Sequence, residues 1–249
     1  MKRIRIIPVL LLRKEGLYKT IRFANPRYVG DPVNTVKIFN EKEADELVVL
    51  DIDASREKKP VNYKKIAEIA GEAFMPMAYG GGIRSYDDAR RVFDAGFEKV
   101  IINSAFLDKP AIVGEIARVY GSQSVVISID AKPNLLNKYR VYTFSGTYNT
   151  GYNPGEYVQM AEQAGAGEII IQSISQDGTW NGYDIPLIKM VSNAVSIPVV
   201  ACGGAANMDD FRKAVTEGGA SAVAAGSTFV YQKKGMGVLI SFPAGRLTL

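Results

Sequence analysis

Pro76-Met-Ala-Tyr-Gly-Gly-Gly-Ile-Arg-Ser-Tyr-Asp-Asp88 returns 122 residues later, from 76 to 198, as Pro198-Val-Val-Ala-Cys-Gly-Gly-Ala-Ala-Asn-Met-Asp-Asp210, in a chain of 249 residues. Each copy reads as an apolar strand, a glycine turn and a capped helix. Without a gap the register continues, with Arg90 on Arg212, Gly96 on Gly218 and Ser104 on Gly226. A half-length repeat of such a unit points to a duplicated βα half-barrel. The expected fold is therefore α/β, a single (β/α)8 TIM barrel over residues 1–249 with a two-fold half-barrel repeat.

Working outward from the repeat, apolar runs predict eight strands, at Arg5–Leu11, Glu46–Asp51, Met75–Tyr79, Lys99–Asn103, Val125–Asp130, Glu168–Gln172, Ile197–Cys202 and Ala222–Ala225. Their continuous apolar character suits strands covered on both faces. Asp31-Pro32, Ser85 and Asn207 read as helix starts, and Gly96 and Gly218 as the glycines that end two helices. Leu17–Gly30 and Arg140–Asn153 read as irregular loops on the active face. Gly235, Gly237 and Pro243 weaken any final helix.

Composition removes several functions. There is no histidine, which excludes His-based triads, His zinc sites and an imidazole base. No metal or cofactor is expected. Acid–base work must fall to Asp, Glu, Lys or Tyr. Cys202 is the single cysteine, which suits a reducing, cytoplasmic setting and an inert buried thiol. The net charge of +4 is scattered rather than striped, so anionic small ligands fit better than nucleic acid. The short apolar N-terminus is broken by Pro8 and reads as a first strand, and no run is long enough to span a membrane.

In a (β/α)8 barrel, chemistry sits at the strand C-termini. Gly81 and Gly82 with Asn103 and Ser104 make one candidate phosphate cradle. Asp177 and Gly178 with Gly203, Gly204, Gly226 and Ser227 make another. Glycine lets backbone amides approach an anion, and helix starts add positive potential. Tight βα turns without a ligand are the plain alternative. Two cradles across one mouth would suit a substrate with a phosphate at each end.

Arg5-Ile-Ile-Pro8, Gly30-Asp-Pro32, Asp45-Glu-Leu-Val-Val-Leu-Asp51, Gly80-Gly-Gly-Ile83, Gly121-Ser-Gln-Ser-Val-Val126, Ile129-Asp-Ala-Lys132, Thr150-Gly151, Gly165-Ala-Gly-Glu168, Asp177-Gly-Thr179 and Gly203-Gly-Ala205 together resemble one family over nearly the whole chain. It is the HisF family, the cyclase subunit of imidazole glycerol phosphate synthase. The resemblance implies a barrel that receives ammonia from a HisH-like glutaminase. The barrel adds it to a bis-phosphorylated ribulosyl intermediate, using aspartates at the ends of strands one and five. Asp130 matches the strand-five aspartate. The strand-one position holds Leu11, which cannot transfer a proton.

The resemblance also implies an ammonia gate of Arg5, Glu46, Lys99 and Glu168 at the opposite end, and a partner-facing Glu98. Charges at strand starts could equally be solvated. Val9, Val48, Leu50, Ala78, Val126, Ser128, Ile170 and Cys202 fall on the inward face above the gate. They would form an apolar conduit or simply a barrel core, with Gln172 narrowing its top. Asp51 and Asp53 either orient a substrate or cap a turn. Trp180 either covers the mouth or packs on the surface. The segment 237–246 resembles tails of HisF-like paralogues found with surface-polysaccharide enzymes. The implied activity is ammonia conduction with little cyclisation, to a third protein that amidates a sugar. The alternatives are histidine-pathway cyclisation and simple binding of a phosphorylated sugar.

Overall fold

The computed structural model describes residues 3–243 and 247–248. Part of the 237–246 tail lies outside the described residues. Along the chain come β1 Arg3–Arg13, α1 Pro32–Glu41, β2 Leu47–Asp51, α2 Tyr63–Ala70, β3 Met77–Gly80, α3 Tyr86–Asp94, β4 Lys99–Ile102, α4 Ala111–Tyr120, β5 Val125–Pro133, α5 Pro154–Gln163, β6 Glu168–Ser173, α6 Ile185–Ser192, β7 Val199–Cys202, α7 Met208–Thr216 and β8 Ala222–Ala225. These eight strands pair in parallel, in order, and β8 returns to β1 through Ile6 and Val223. The result is a closed (β/α)8 barrel, the TIM-barrel fold of the α/β class.

The repeat is carried into three dimensions with its offset intact. β3 and α3 map onto β7 and α7 at both ends, each 122 residues apart. Gly81 and Gly203, and Gly82 and Gly204, all adopt positive φ, between +77° and +113°. Ser85 and Asn207 cap their helices by accepting from the amides of Asp88 and Asp210. Each aspartate in turn accepts from the amide of the residue just before the cap, Arg84 and Ala206, at 3.0 and 2.8 Å. One glycine departs from the pattern. Gly96 is left-handed, at φ +106°, but in the second copy that conformation belongs to Gly219, one residue past Gly218. Gly218 is small for another reason, since a Cβ there would lie 2.6 Å from the Ala214 carbonyl oxygen and 2.9 Å from Ile188.

The two stretches expected to be loops are β structure. Gly16–Ile21 and Ala24–Gly30 form an antiparallel hairpin on the upper half of β1, and Tyr139–Thr143 pairs with the upper half of β5. β1 and β5 outrun the barrel and leave free edges, and pairing satisfies the exposed amides. The first hairpin turns through Arg22 and Phe23, at φ +52° and +61°. That is the doubly left-handed turn usually signalled by Asn-Gly. Neither residue is glycine or asparagine, so the sequence carried no turn signal.

Barrel packing separates into two layers. Outside, Phe39, Val92, Ile116 and Phe211 seat helices on the sheet. Inside, Ile7, Val9, Val48, Ala78, Ile101, Val126, Ile170, Val200 and Cys202 form a separate core. After β8 the chain makes one short helical turn, Ser227–Val230, then folds back through a tight turn closed by a Tyr231–Val238 bridge, and Phe242 beyond it packs against Phe39 and Phe229. This irregular strap occupies the place of an eighth long helix, in keeping with the glycines that weaken the segment.

Candidate functional site

At the strand C-termini lies a cavity of about 320 Å³. All ten residues of the two expected cradles line it, together with Leu11, Asp130, Gln172 and Trp180. The glycines are required by space as well as by φ. A Cβ on Gly81 would fall 2.5 Å from the Asp51 carbonyl oxygen, and one on Gly204 would fall 2.2 Å from that of Gly182. Three of the cradle side chains, Asn103, Ser104 and Asp177, are already engaged. Ser104 Oγ accepts from the Phe144 amide at 3.0 Å. Asn103 gives its amide protons to the Ser128 carbonyl and to Asp130 Oδ2, at 3.1 and 3.0 Å, so it positions the carboxylate rather than reaching for an anion.

Asp177 is likewise committed. Its carboxylate accepts from Thr20 Oγ1 at 3.0 Å and Gln172 Nε2 at 3.2 Å, and its carbonyl accepts from the Arg22 amide at 2.9 Å. It therefore pins the first hairpin across the mouth. That hairpin buries Lys19, whose Nζ donates to the Val9 carbonyl at 3.0 Å and stands directly over Gly226. Burial lowers the Lys19 ammonium to about 8, against the pull of Asp177. The sequence reading assigned Lys19 no role. The alternation of a hairpin strand would have turned it inward, but only if the hairpin had been legible.

Asp130 is buried at the end of the inward row of β5, and burial raises its carboxyl to about 7 despite the Asn103 hydrogen bond. Leu11 continues the inward row of β1 after Ile7 and Val9 and packs on the inner core. No other acid stands free in its place among the cavity-lining carboxylates. Asp51 accepts from the Asp53 and Ala54 amides, each at 3.0 Å, which makes it a turn cap. Asp53 is held by Arg13 at 2.8 Å and Arg56 at 3.0 Å. Cys202 is buried, and desolvation lifts its thiol to about 12, so it carries no thiolate.

At the other end of the barrel, Arg5, Glu46, Lys99 and Glu168, the four residues expected at a gate, form one closed ring. Lys99 Nζ meets Glu46 at 2.9 Å and Glu168 at 2.7 Å, and Arg5 bonds to the same two carboxylates. Sign alternates around the ring, so each cation touches both acids. Burial works against the Arg5 charge, but Glu168 and Glu46 hold its guanidinium above the ordinary value. Val48, Ile101 and Ile170 line the mouth cavity and lie two residues up their strands from Glu46, Lys99 and Glu168. At about 3.3 Å of rise per residue, roughly 7 Å of apolar barrel separates cavity from ring. Glu98 is exposed on this face, and its carboxylate also accepts the Met77 amide at 2.6 Å.

A histidine biosynthesis protein family model matches residues 5–235. The chain is 48% identical over 243 residues to a Pseudomonas aeruginosa protein provisionally named imidazole glycerol phosphate synthase subunit hisF2, covering 98% of this chain and 97% of that one. A provisionally named HisF of Leptospira borgpetersenii is 47% identical over 246 residues, covering 98% and 97%. The imidazole glycerol phosphate synthase subunit HisF of Alkaliphilus metalliredigens is 40% identical over 229 residues, covering 92% and 91%.

Proposed function

The chain belongs to the histidine biosynthesis protein family, as a HisF-like barrel, and from that premise we propose that it is the ammonia-conducting subunit of a glutamine-dependent complex, with little cyclase activity of its own. The observation that carries this reading is a contrast between its two ends. The floor keeps a complete ring of Arg5, Glu46, Lys99 and Glu168 one layer below a cavity. The mouth sets Leu11 where the family pairs a second acid with Asp130. A partly buried four-charge ring is a poor device for stability, since desolvation offsets most of its attraction. It is a good device for a gate that admits a small neutral molecule when one cation swings aside.

Above the ring, Val48, Ile101, Ile170 and Ala78 offer a neutral ammonia molecule an apolar path and disfavour ammonium. At the top, Asp130 can hold or release a proton near neutral pH. Leucine opposite it can do neither, and losing one of two cooperating groups typically costs orders of magnitude in rate. Ammonia reaching this mouth would then pass to an acceptor on another protein. A sugar-modifying amidotransferase of surface-polysaccharide synthesis is the acceptor we favour, and a HisH-like glutaminase is the source.

The test is reconstitution with the glutaminase subunit from the same cell. Glutamine hydrolysis should be stimulated by the barrel, while the ribulosyl substrate yields no imidazole product. Ready imidazole formation by the unaltered chain would sink the proposal. Histidine-pathway cyclisation is the rival, favoured by the intact cradle geometry around Asp130. Leu11→Asp separates the two: a large gain of cyclisation identifies the leucine as the lesion, whereas a wild-type level already near that of the variant favours the rival.

A further inference from the structure

Phe74 stands 91% exposed on the loop between α2 and β3, at the barrel floor. Its ring joins neither core cluster, and what sets it apart from the other exposed apolar side chains is the hollow beside it. Phe74 borders an open hollow of about 580 Å³ that is also lined by Arg3, Arg5, Asn40, Asp45 and Met75. Arg5 is the outermost member of the gate ring, with a third of its side chain exposed, at 34%. The hollow and the pore therefore share a residue.

The loop carrying Phe74 is held in place. The Phe74 amide donates to Asn40 Oδ1 at 2.9 Å, and Asn40 Nδ2 donates to the Glu72 carbonyl. α1 thus fixes the backbone that presents the ring, so little ordering remains to be done on binding. A fixed aromatic beside a rim of charge, here the Arg3–Asp45 pair and the outer edge of Arg5, has the make-up of an interface centre, where aromatic anchors carry most of the affinity.

We propose that Phe74 is the apolar anchor on which the glutaminase subunit seats, so that docking covers Arg5 and closes the pore entrance to solvent in one step. This rests on the channel reading above, because only a protein that releases ammonia at the floor needs to sit over the ring. The partner surface would present an apolar socket to Phe74, bordered by polar groups that meet Arg3, Asp45 and Arg5.

The experiment measures the dissociation constant of the barrel for the glutaminase subunit from the same cell, with glutamine hydrolysis followed in parallel. Phe74→Ala should weaken binding roughly 10- to 100-fold, the range of aromatic anchors. Phe74→Tyr should stay within about threefold of wild type. Leu135→Ser, at an exposed site at the mouth end, should leave binding unchanged. The exposed position predicts no change in circular dichroism or melting temperature for Phe74→Ala, so a loss of binding cannot be read as misfolding. Equal affinity of Phe74→Ala and wild type, with hydrolysis stimulated by both, overturns the anchor and leaves the channel standing. No binding or stimulation by wild type overturns both.

Discussion

Replacing Asp130 with Asn gives a quantitative probe of the mouth. The carboxyl lies at about 7 in the folded chain, raised first by burial and also by Asp177, and held back by Asn103. Its value in an unfolded chain is about 3.9. The folded state therefore binds the extra proton between those limits, and stability falls as pH rises through the window. Below about pH 4 the group is neutral in both states and costs nothing. Above about pH 7 the buried carboxylate opposes folding by roughly 4 kcal/mol, from about three units at 1.36 kcal/mol each. Asn is nearly isosteric, can still accept from Asn103, and does not titrate. Asp130→Asn should thus gain stability relative to wild type at pH 8 and lose most of that gain at pH 4 to 5. Urea unfolding of both proteins across pH 4 to 9 measures it, with the difference in midpoint as readout. Parallel pH profiles for the two chains would refute the reasoning, because the carboxylate would then be solvated and unfit to hold a proton at neutral pH.

Three further outcomes follow from contacts described above. Lys99→Met leaves Glu46 and Glu168 with Arg5 alone, and breaking a buried pair on one side should lower unfolding stability by about 3 kcal/mol; a loss below about 1 kcal/mol would show the ring to be solvated. Gly81→Ala combines φ +113° with a 2.5 Å approach to the Asp51 carbonyl, whereas Gly151→Ala has φ +83° and open space. The first should therefore cost several kcal/mol and the second only about 1 kcal/mol, and equal melting temperatures would contradict the packing at the first cradle. Asp177→Asn weakens the carboxylate's hold on Thr20 but keeps the Asp177 carbonyl on the Arg22 amide, so trypsin should cut after Arg22 several-fold faster; an unchanged cleavage rate would mean that β1 pairing and that backbone bond hold the hairpin without the carboxylate.

What could be read from the chain follows from where its information is local. The 122-residue repeat, the Ser85 and Asn207 caps and the strand–Gly-Gly–helix order are written within a few residues of one another, and each reappears in place. The resemblance grouped Arg5, Glu46, Lys99 and Glu168 at one end of the barrel, and strand parity put Val9, Val48, Ile170 and Leu11 on the inward rows above them, because a pleated strand fixes side-chain direction with period two. The sequence by itself therefore determined the barrel, its two-fold plan and the place of Leu11 on the inward row of the first strand. It did not determine which groups spend their hydrogen bonds on each other. That Asn103 serves Asp130, that Asp177 pins a hairpin folded from a stretch with no turn signal, and that Lys19 lies buried over Gly226 depend on partners 10 to 157 residues away in the chain. Pairing of neighbouring strands brings Asn103 to Asp130 and Lys19 to Val9, closure of the barrel brings Asp177 to Thr20, and the packing that follows removes the water that would otherwise have satisfied each of them separately.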